Sequence, residues 1–454
     1  MAENSKPLLS GFLMSTQLME ADGCTRCQEC MKVCTTFNVR PDRPGMTPMY
    51  KIAKWRELMS KSQGLRAKIF GSKPLNDDEM TVFTEDSYMC TTCGVCATVC
   101  ESGIRTVDLW EAMRPNLVAR GNGPYGKQSF FPKLVQADRN PYQGKQEDRL
   151  CWLPKDAKVL ESAKIAYFAG CTAAYRQQAL AVATVRVLNA LDVDFCMLGP
   201  EEWCCASAMV RTGQRDVMRD CAIHNVEALK DRGVETVLFA CAGCQRNSTI
   251  DWPRWYEGHI PYDSVPLSAF IRDKINAGEV EFKYPLNYKV TYHDPCHNGR
   301  HIMHEVGKDW CFEAPRQVLQ SIPGLQFQDM VRNRELQRCC GAGGGVKAGL
   351  PDLALDCAKA RVRDAEEIGA EIISSTCPFC RRNIMDGRND MKSSAKFLDV
   401  MELLAASMGL DMTIPENPYT KYQEQDVISC GPTACEVETV ERKAPGKDLV
   451  GEAH

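Results

Sequence analysis

Two copies of one cysteine pattern dominate the second half of the chain. The first is Cys171, the adjacent pair Cys204 and Cys205, then Cys241-x-x-Cys244; the second is Cys296, the pair Cys339 and Cys340, then Cys377-x-x-Cys380. Each copy therefore brings five thiols in the same order, and the repetition marks an internal duplication whose shared element is a thiolate cage. Five thiolates are one more than a zinc ion or a cubane takes. Side chains of neighbouring residues diverge, so an adjacent pair also fits poorly around one tetrahedral ion. The pattern asks for an unusual cluster with a bridging thiolate, or for a cubane with a spare reactive thiol.

Upstream lie two further runs, Cys24-x-x-Cys27-x-x-Cys30-x-x-x-Cys34 and Cys90-x-x-Cys93-x-x-Cys96-x-x-x-Cys100. Gaps of two residues let successive sulfurs converge on one cube. The spacing resembles that of a bacterial two-cluster ferredoxin, in which three cysteines of a run hold one cubane and the fourth reaches the other. That resemblance implies crossed ligation: Cys24, Cys27, Cys30 and Cys100 for one cluster, Cys90, Cys93, Cys96 and Cys34 for the other. The usual proline after each fourth cysteine is replaced by Thr35 and Glu101, which loosens the turn and leaves the ligands intact. A pair of zinc sites is the alternative, and two complete four-cysteine runs weigh against it.

These thiols must be positioned by regular elements. In the first copy a short apolar run leads into Cys171, helical patterns follow over 172–191 and 214–233 with Gly233 as a C-cap, and a strand over 234–240 leads into Cys241. The second copy repeats the order, with strands into Cys296 and Cys377 and a helix between. Alternating strands and helices predict an α/β layer with its ligands at the strand ends. The fold class is α+β: a helical two-cluster ferredoxin domain over 1–120, a loop-rich linker over 121–160, tandem α/β cysteine-rich domains over 161–285 and 286–410, and an extended C-terminal arm over 411–454. The apolar stretch Pro7–Met19 reads as a segment folded back on its own domain or, less favoured, as a docking helix for a membrane partner.

The tandem cages resemble the cysteine-rich (CCG) domains of the heterodisulfide reductase family, and the whole layout is similar to its fused catalytic subunit. It is similar too to related subunits of the transmembrane redox complexes of sulfate-reducing, anaerobic bacteria. The resemblance implies a noncubane 4Fe–4S cluster in each complete cage, so up to two of them beside the two cubanes. Their ligands would be Cys171, Cys204, Cys205, Cys241 and Cys244, and Cys296, Cys339, Cys340, Cys377 and Cys380. It also implies an oxidoreductase that works as part of a complex on a small-molecule or protein disulfide. Its partner would be an integral membrane cytochrome b-type or quinone-linked subunit, with the chain on the cytoplasmic face of the inner membrane. The first pair is followed by Ala206 where the second has Gly341, so the second cage is expected to be the more open, catalytic one, through Cys296, Cys339 and Cys340. His293 and His297 flank Cys296 and are candidates to protonate a leaving thiolate; hydrogen bonding to the cluster or the backbone is the alternative. Arg300, Lys347, Arg381 and Arg382 would either attract an anionic substrate or form a solvated face. A second reading is an electron-transfer subunit of a flavin-dependent glycolate, lactate or glycerol-3-phosphate dehydrogenase, with no substrate of its own.

Composition is that of a soluble protein with a substantial core: 454 residues, 44% hydrophobic and 25% charged, with a net charge of −4 and no long basic block, which disfavours nucleic acid as a partner. No stretch is apolar enough to span a membrane, and without a signal-like N-terminus the 25 cysteines point to metal in a reducing cytoplasm rather than to disulfides. Outside the motifs, Cys151, Cys196, Cys221, Cys311 and Cys357 read as small core hydrophobes. His224 reads as structural, and Cys430 and Cys435 as free thiols on the arm.

Overall fold

A computed structural model describes residues 9–63, 65–71, 73–423, 425–430 and 434–440. Between the two ferredoxin-type runs the chain is helical, in Pro48–Ser62, Leu65–Phe70 and Asp77–Tyr88, and Thr106–Ala119 closes the domain. Pro48 starts its helix where no amide partner is needed, and Asn76 caps Asp77–Tyr88 by accepting from the amides of Asp78 and Glu79. Trp55, Leu58, Phe83, Leu109 and Trp110 fill this domain's own core. The segment before Cys24 folds back onto it: Leu9 is buried, the Phe12 amide donates to Asn116, and a helix runs over Ser15–Asp22. Pro7 and Leu8 lie outside the described residues.

Each cage sits on a four-stranded parallel sheet. The first comprises β1 (Ile165–Phe168), β2 (Phe195–Cys196), β3 (Thr236–Phe239) and β4 (Asp263–Pro266), in the order β2-β1-β3-β4. The second comprises β5 (Lys289–Tyr292), β6 (Gln326–Phe327), β7 (Ile372–Ser375) and β8 (Lys396–Asp399), in the order β6-β5-β7-β8. The strand order is thus repeated as well as the cysteine order. In both sheets the chain reverses its direction of travel between the first and third strands, the crevice where ligands of open α/β sheets bind. Cys171 follows β1 and Cys241 follows β3, which pair in register Ile165↔Thr236 to Phe168↔Phe239, so two cysteines distant in sequence leave the same sheet edge side by side. Cys296 and Cys377 leave β5 and β7 in the same way.

Two stretches differ from their sequence reading. The linker of 121–160 contains the helix Phe131–Asp138 and short turns of helix, and it buries Tyr142, Trp152, Asn140 and Arg149. Its glycines and prolines shape turns in a packed segment rather than a free connection. The C-terminal arm is not extended: β9 (Gln425–Cys430) and β10 (Cys435–Val440) form an antiparallel hairpin closed by a Cys430–Cys435 disulfide. Asp426 holds the hairpin to the second sheet, its carboxylate accepting from the Phe397 amide and pairing with Arg388. Periodicity over six residues is too short to announce a strand against a background of Pro, Glu and Lys.

Candidate metal centre

The cage cysteines are all buried. In the first, thiol contacts run from Cys171 to Cys204, to Cys205, to Cys244, to Cys241. In the second they run from Cys296 to Cys339, to Cys340, to Cys380, to Cys377, with Cys340 and Cys380 sulfurs 3.5 Å apart. The two chains of contacts meet where Cys241 touches Cys377, so ten thiols form one continuous array. Shared hydrogen bonds divide the protons unequally. Cys205 is held down, to about 6, by Cys204 and Cys244, while Cys340 is held well below the ordinary thiol range by Cys339 and Cys380, and Cys377 by Cys241 and Cys380. Each cage therefore offers a ready thiolate, the form that binds metal.

Local structure explains the spacing. The adjacent pair follows a turn that lets the next amide point back at the first sulfur: Ala206 N–H donates to Cys204 Sγ at 3.3 Å, and Gly341 N–H to Cys339 Sγ at 3.4 Å. Both residues are left-handed, with φ of 67° at Ala206 and 96° at Gly341. The glycine is not there for the cluster. A Cβ on Gly341 would lie 2.5 Å from Cys357 Cβ and 2.7 Å from the Ala354 carbonyl, so the residue admits the helix Pro351–Glu366. Openness does not distinguish the second cage: its cysteines are 1–9% exposed and those of the first 3–8%.

Two cavities lie in the helical domain. One is lined by Cys34, Cys90, Cys93 and Cys96. The other is lined by Cys24, Cys27, Cys30 and Cys100, and also touches Cys96. The groupings are those of the crossed arrangement. Cys34 Sγ and Cys96 Sγ lie 3.4 and 3.0 Å from the hydroxyls of Thr36 and Thr106, and Thr92 N–H donates to Cys90 Sγ. The two cavities and the two cages form a row, because Cys96 lines both cavities and Cys93 contacts Cys339. Exposure falls along it: Cys27 is exposed, whereas Cys93 and the cage cysteines beyond it are buried.

His293 and His297 are brought to the cages. His293 shares a cluster with Cys340 and Cys380, and its Nδ1 accepts from Arg361 Nε at 3.1 Å, which places its proton on Nε2. His297 sits with Cys296 and His301, and its Nδ1 faces Gly243 of the other cage. Burial holds both imidazoles down, to about 3 and about 4, so they are neutral. The four cations named from sequence neither face solvent nor await an anion. Arg300 donates to the carbonyls of Cys93, Glu335 and Gln337, Lys347 pairs with Asp386, Arg381 pairs with Glu402, and Arg382 is buried against Tyr142. Sequence reading missed Arg149, which donates to Cys171 Sγ at 3.6 Å while pairing with Glu202; it lies in the supposed linker, where no motif points to it. His224 stacks on Trp203 with ring centroids 3.8 Å apart, a structural role.

The 4Fe-4S dicluster domain family matches residues 20–104, and the Cysteine-rich domain family matches 165–247 and 290–385. A component of the dihydromethanophenazine:CoB–CoM heterodisulfide reductase of Methanosarcina barkeri is 52% identical over 413 residues, covering 90% of this chain and 99% of the relative. The chain belongs to the heterodisulfide reductase family. The Methanosarcina mazei protein of the same description is also 52% identical, over 90% of this chain and 100% of its own. A component of the fumarate reductase (CoM/CoB) of Methanothermobacter marburgensis is 30% identical over 84% of this chain and 71% of the relative. This member of the heterodisulfide reductase family is an iron–sulfur protein with 4Fe–4S clusters. Its cavities fit such groups, being lined by convergent sulfurs with hydroxyl and amide donors aimed at them.

Proposed function

We propose that the chain passes electrons between a membrane cytochrome b-type or quinone-linked subunit and a heterodisulfide of small thiols, within a redox complex at the cytoplasmic face of the membrane. Cubanes would be held by Cys24, Cys27, Cys30 and Cys100 and by Cys90, Cys93, Cys96 and Cys34, with a noncubane cluster on the five cysteines of each cage. The contact of Cys241 with Cys377 carries this reading. Cleaving a disulfide takes two electrons and frees two sulfurs, and two equivalent cages in direct contact present a paired site for both. The names of the Methanosarcina relatives support the substrate class. Among the described residues no helix is long and apolar enough to cross a membrane, so a membrane connection would run through a partner.

When bound, the clusters supply one-electron transfer and iron sites with affinity for sulfur. The protein's own residues order the path. Exposed Cys27 marks the end where a partner docks, and the Cys93–Cys339 contact hands over to the cages. The buried cages exclude water. His293, oriented by Arg361, holds a proton at Nε2 beside Cys340 and Cys380, and His297 stands between Cys296 and the other cage; as neutral imidazoles both are placed to hydrogen-bond a thiolate there rather than to protonate it.

Iron analysis and EPR of anaerobically purified protein, titrated with a thiol and its disulfide, test the proposal. About sixteen irons with a thiol-dependent paramagnetic signal are expected, at four irons per cluster. About eight irons with no response to thiol would leave two cubanes and remove the disulfide chemistry.

A further inference from the structure

One buried cation lacks a partner that its position requires. Lys51 lies in the first turns of the helix Pro48–Ser62 and is 1% exposed. Its Nζ has no hydrogen-bond partner, and among the described residues no carboxylate pairs with it. The ammonium sits 4.1 Å from the centroid of the Trp110 ring, whose own indole N–H is also buried and unpartnered. Both side chains line the cavity of Cys34, Cys90, Cys93 and Cys96.

Burying an ammonium costs several kcal/mol, and contact with an aromatic face returns about 2. Buried charges in proteins are paired or lie against metal centres. The balancing charge must come from what the cavity holds, and a cubane on four thiolates is a net anion that gains one further negative charge on reduction. The other ferredoxin-type cavity has no such group. It is lined by exposed Cys27 and Arg26, so water can solvate its charge.

We propose that Lys51 is the counter-cation of the second cubane and raises its reduction potential. Burial alone would make that cubane hard to reduce, because the reduced cluster carries more charge into a dry site. The ammonium offsets this selectively, so that an electron arriving at the exposed first cubane moves inward instead of stalling there. Lys51 is thus a positioning residue for electron flow, and the role rests on the assignment of a cubane to this cavity.

The test is an anaerobic EPR-monitored redox titration of the full chain. Wild type should show two reducible cubane signals. K51M should lower the reduction equilibrium constant of one of them at least tenfold, 59 mV for a one-electron couple, and leave the other in place; K51R should restore it. Wild type with a single reducible cubane overturns the assignment and the role together. Two signals with unaltered potentials in K51M overturn the role alone. If K51M loses iron, K51Q and K51R decide: retention of the potential in K51R and its fall, or iron loss, in K51Q supports the charge, whereas iron loss in all three, or an unshifted K51Q, overturns it.

Discussion

Cys241 and Cys377 touch, and they occupy the same position in the two repeats, each the first cysteine of a C-x-x-C after the third strand of its sheet. Contact between equivalent residues is the signature of a two-fold arrangement, here built within one chain rather than between subunits. The array reads the same from either end, from Cys171 to Cys241 and then from Cys377 back to Cys296. Cys93 breaks this symmetry by touching the second cage at Cys339.

Removing that junction should separate the cages from the cubanes. C339A is expected to lose about four of the irons held by the wild type, one cluster's worth, and to keep both cubane signals. Iron content and EPR before and after addition of dithionite check this; a C339A protein with full iron and a thiol-responsive signal would show that Cys339 is not a ligand.

Close approach of the second cysteine-rich domain to the ferredoxin motif depends on glycine. Gly344 has φ of 63°, and a Cβ there would lie 2.5 Å from the Cys90 carbonyl oxygen. G344A should cost about 1–3 kcal/mol from the backbone conformation, and more from the collision. A lower melting temperature is expected, together with slower reduction of the cages at unchanged cubane iron, read by stopped-flow absorbance.

Four buried charges join the helical domain to the first cysteine-rich domain. Glu111 pairs with Arg211 at 2.8 Å and with Arg246 at 2.9 Å, and Asp251 pairs with both guanidiniums. E111Q leaves one carboxylate against two buried cations and should destabilise the fold by about 3–5 kcal/mol. Denaturant unfolding would show it; a change below about 1 kcal/mol, the range of exposed pairs, would mean that water reaches the site.

The Cys430–Cys435 disulfide closes a loop of six residues, for which chain entropy gives a stabilisation of about 2 kcal/mol, local to the hairpin. The double variant C430S/C435S should open the hairpin to limited proteolysis without altering iron content. Mass spectrometry after alkylation, with and without reductant, would report the bond and the cut together.

Much of the site was legible because thiol spacing is a direct record of ligand geometry. The five-cysteine repeat and the two four-cysteine runs pointed to cages and cavities at which those cysteines do gather, and the strands leading into Cys171, Cys241, Cys296 and Cys377 lie where apolar runs announced them. What escaped was set by packing. Gly341 read as opening the second cage and serves a helix, Arg381 read as attracting an anionic substrate or lying on a solvated face and is buried against Glu402, and no motif singles out Lys51. A side chain's type does not record which neighbour it faces, and for cations that neighbour decides the role.

Arg114 gives the assembly a property that no cysteine does. Its guanidinium donates to the carbonyls of Ser87 and Cys90 in the helical domain, of Arg211 in the first cysteine-rich domain and of Gly344 in the second. Pulling any one of the three away would leave a buried guanidinium with part of its hydrogen bonding unmet. The three units are therefore expected to melt together in one cooperative transition, and the spacing between redox centres would be as rigid as the keystone that all three lean on.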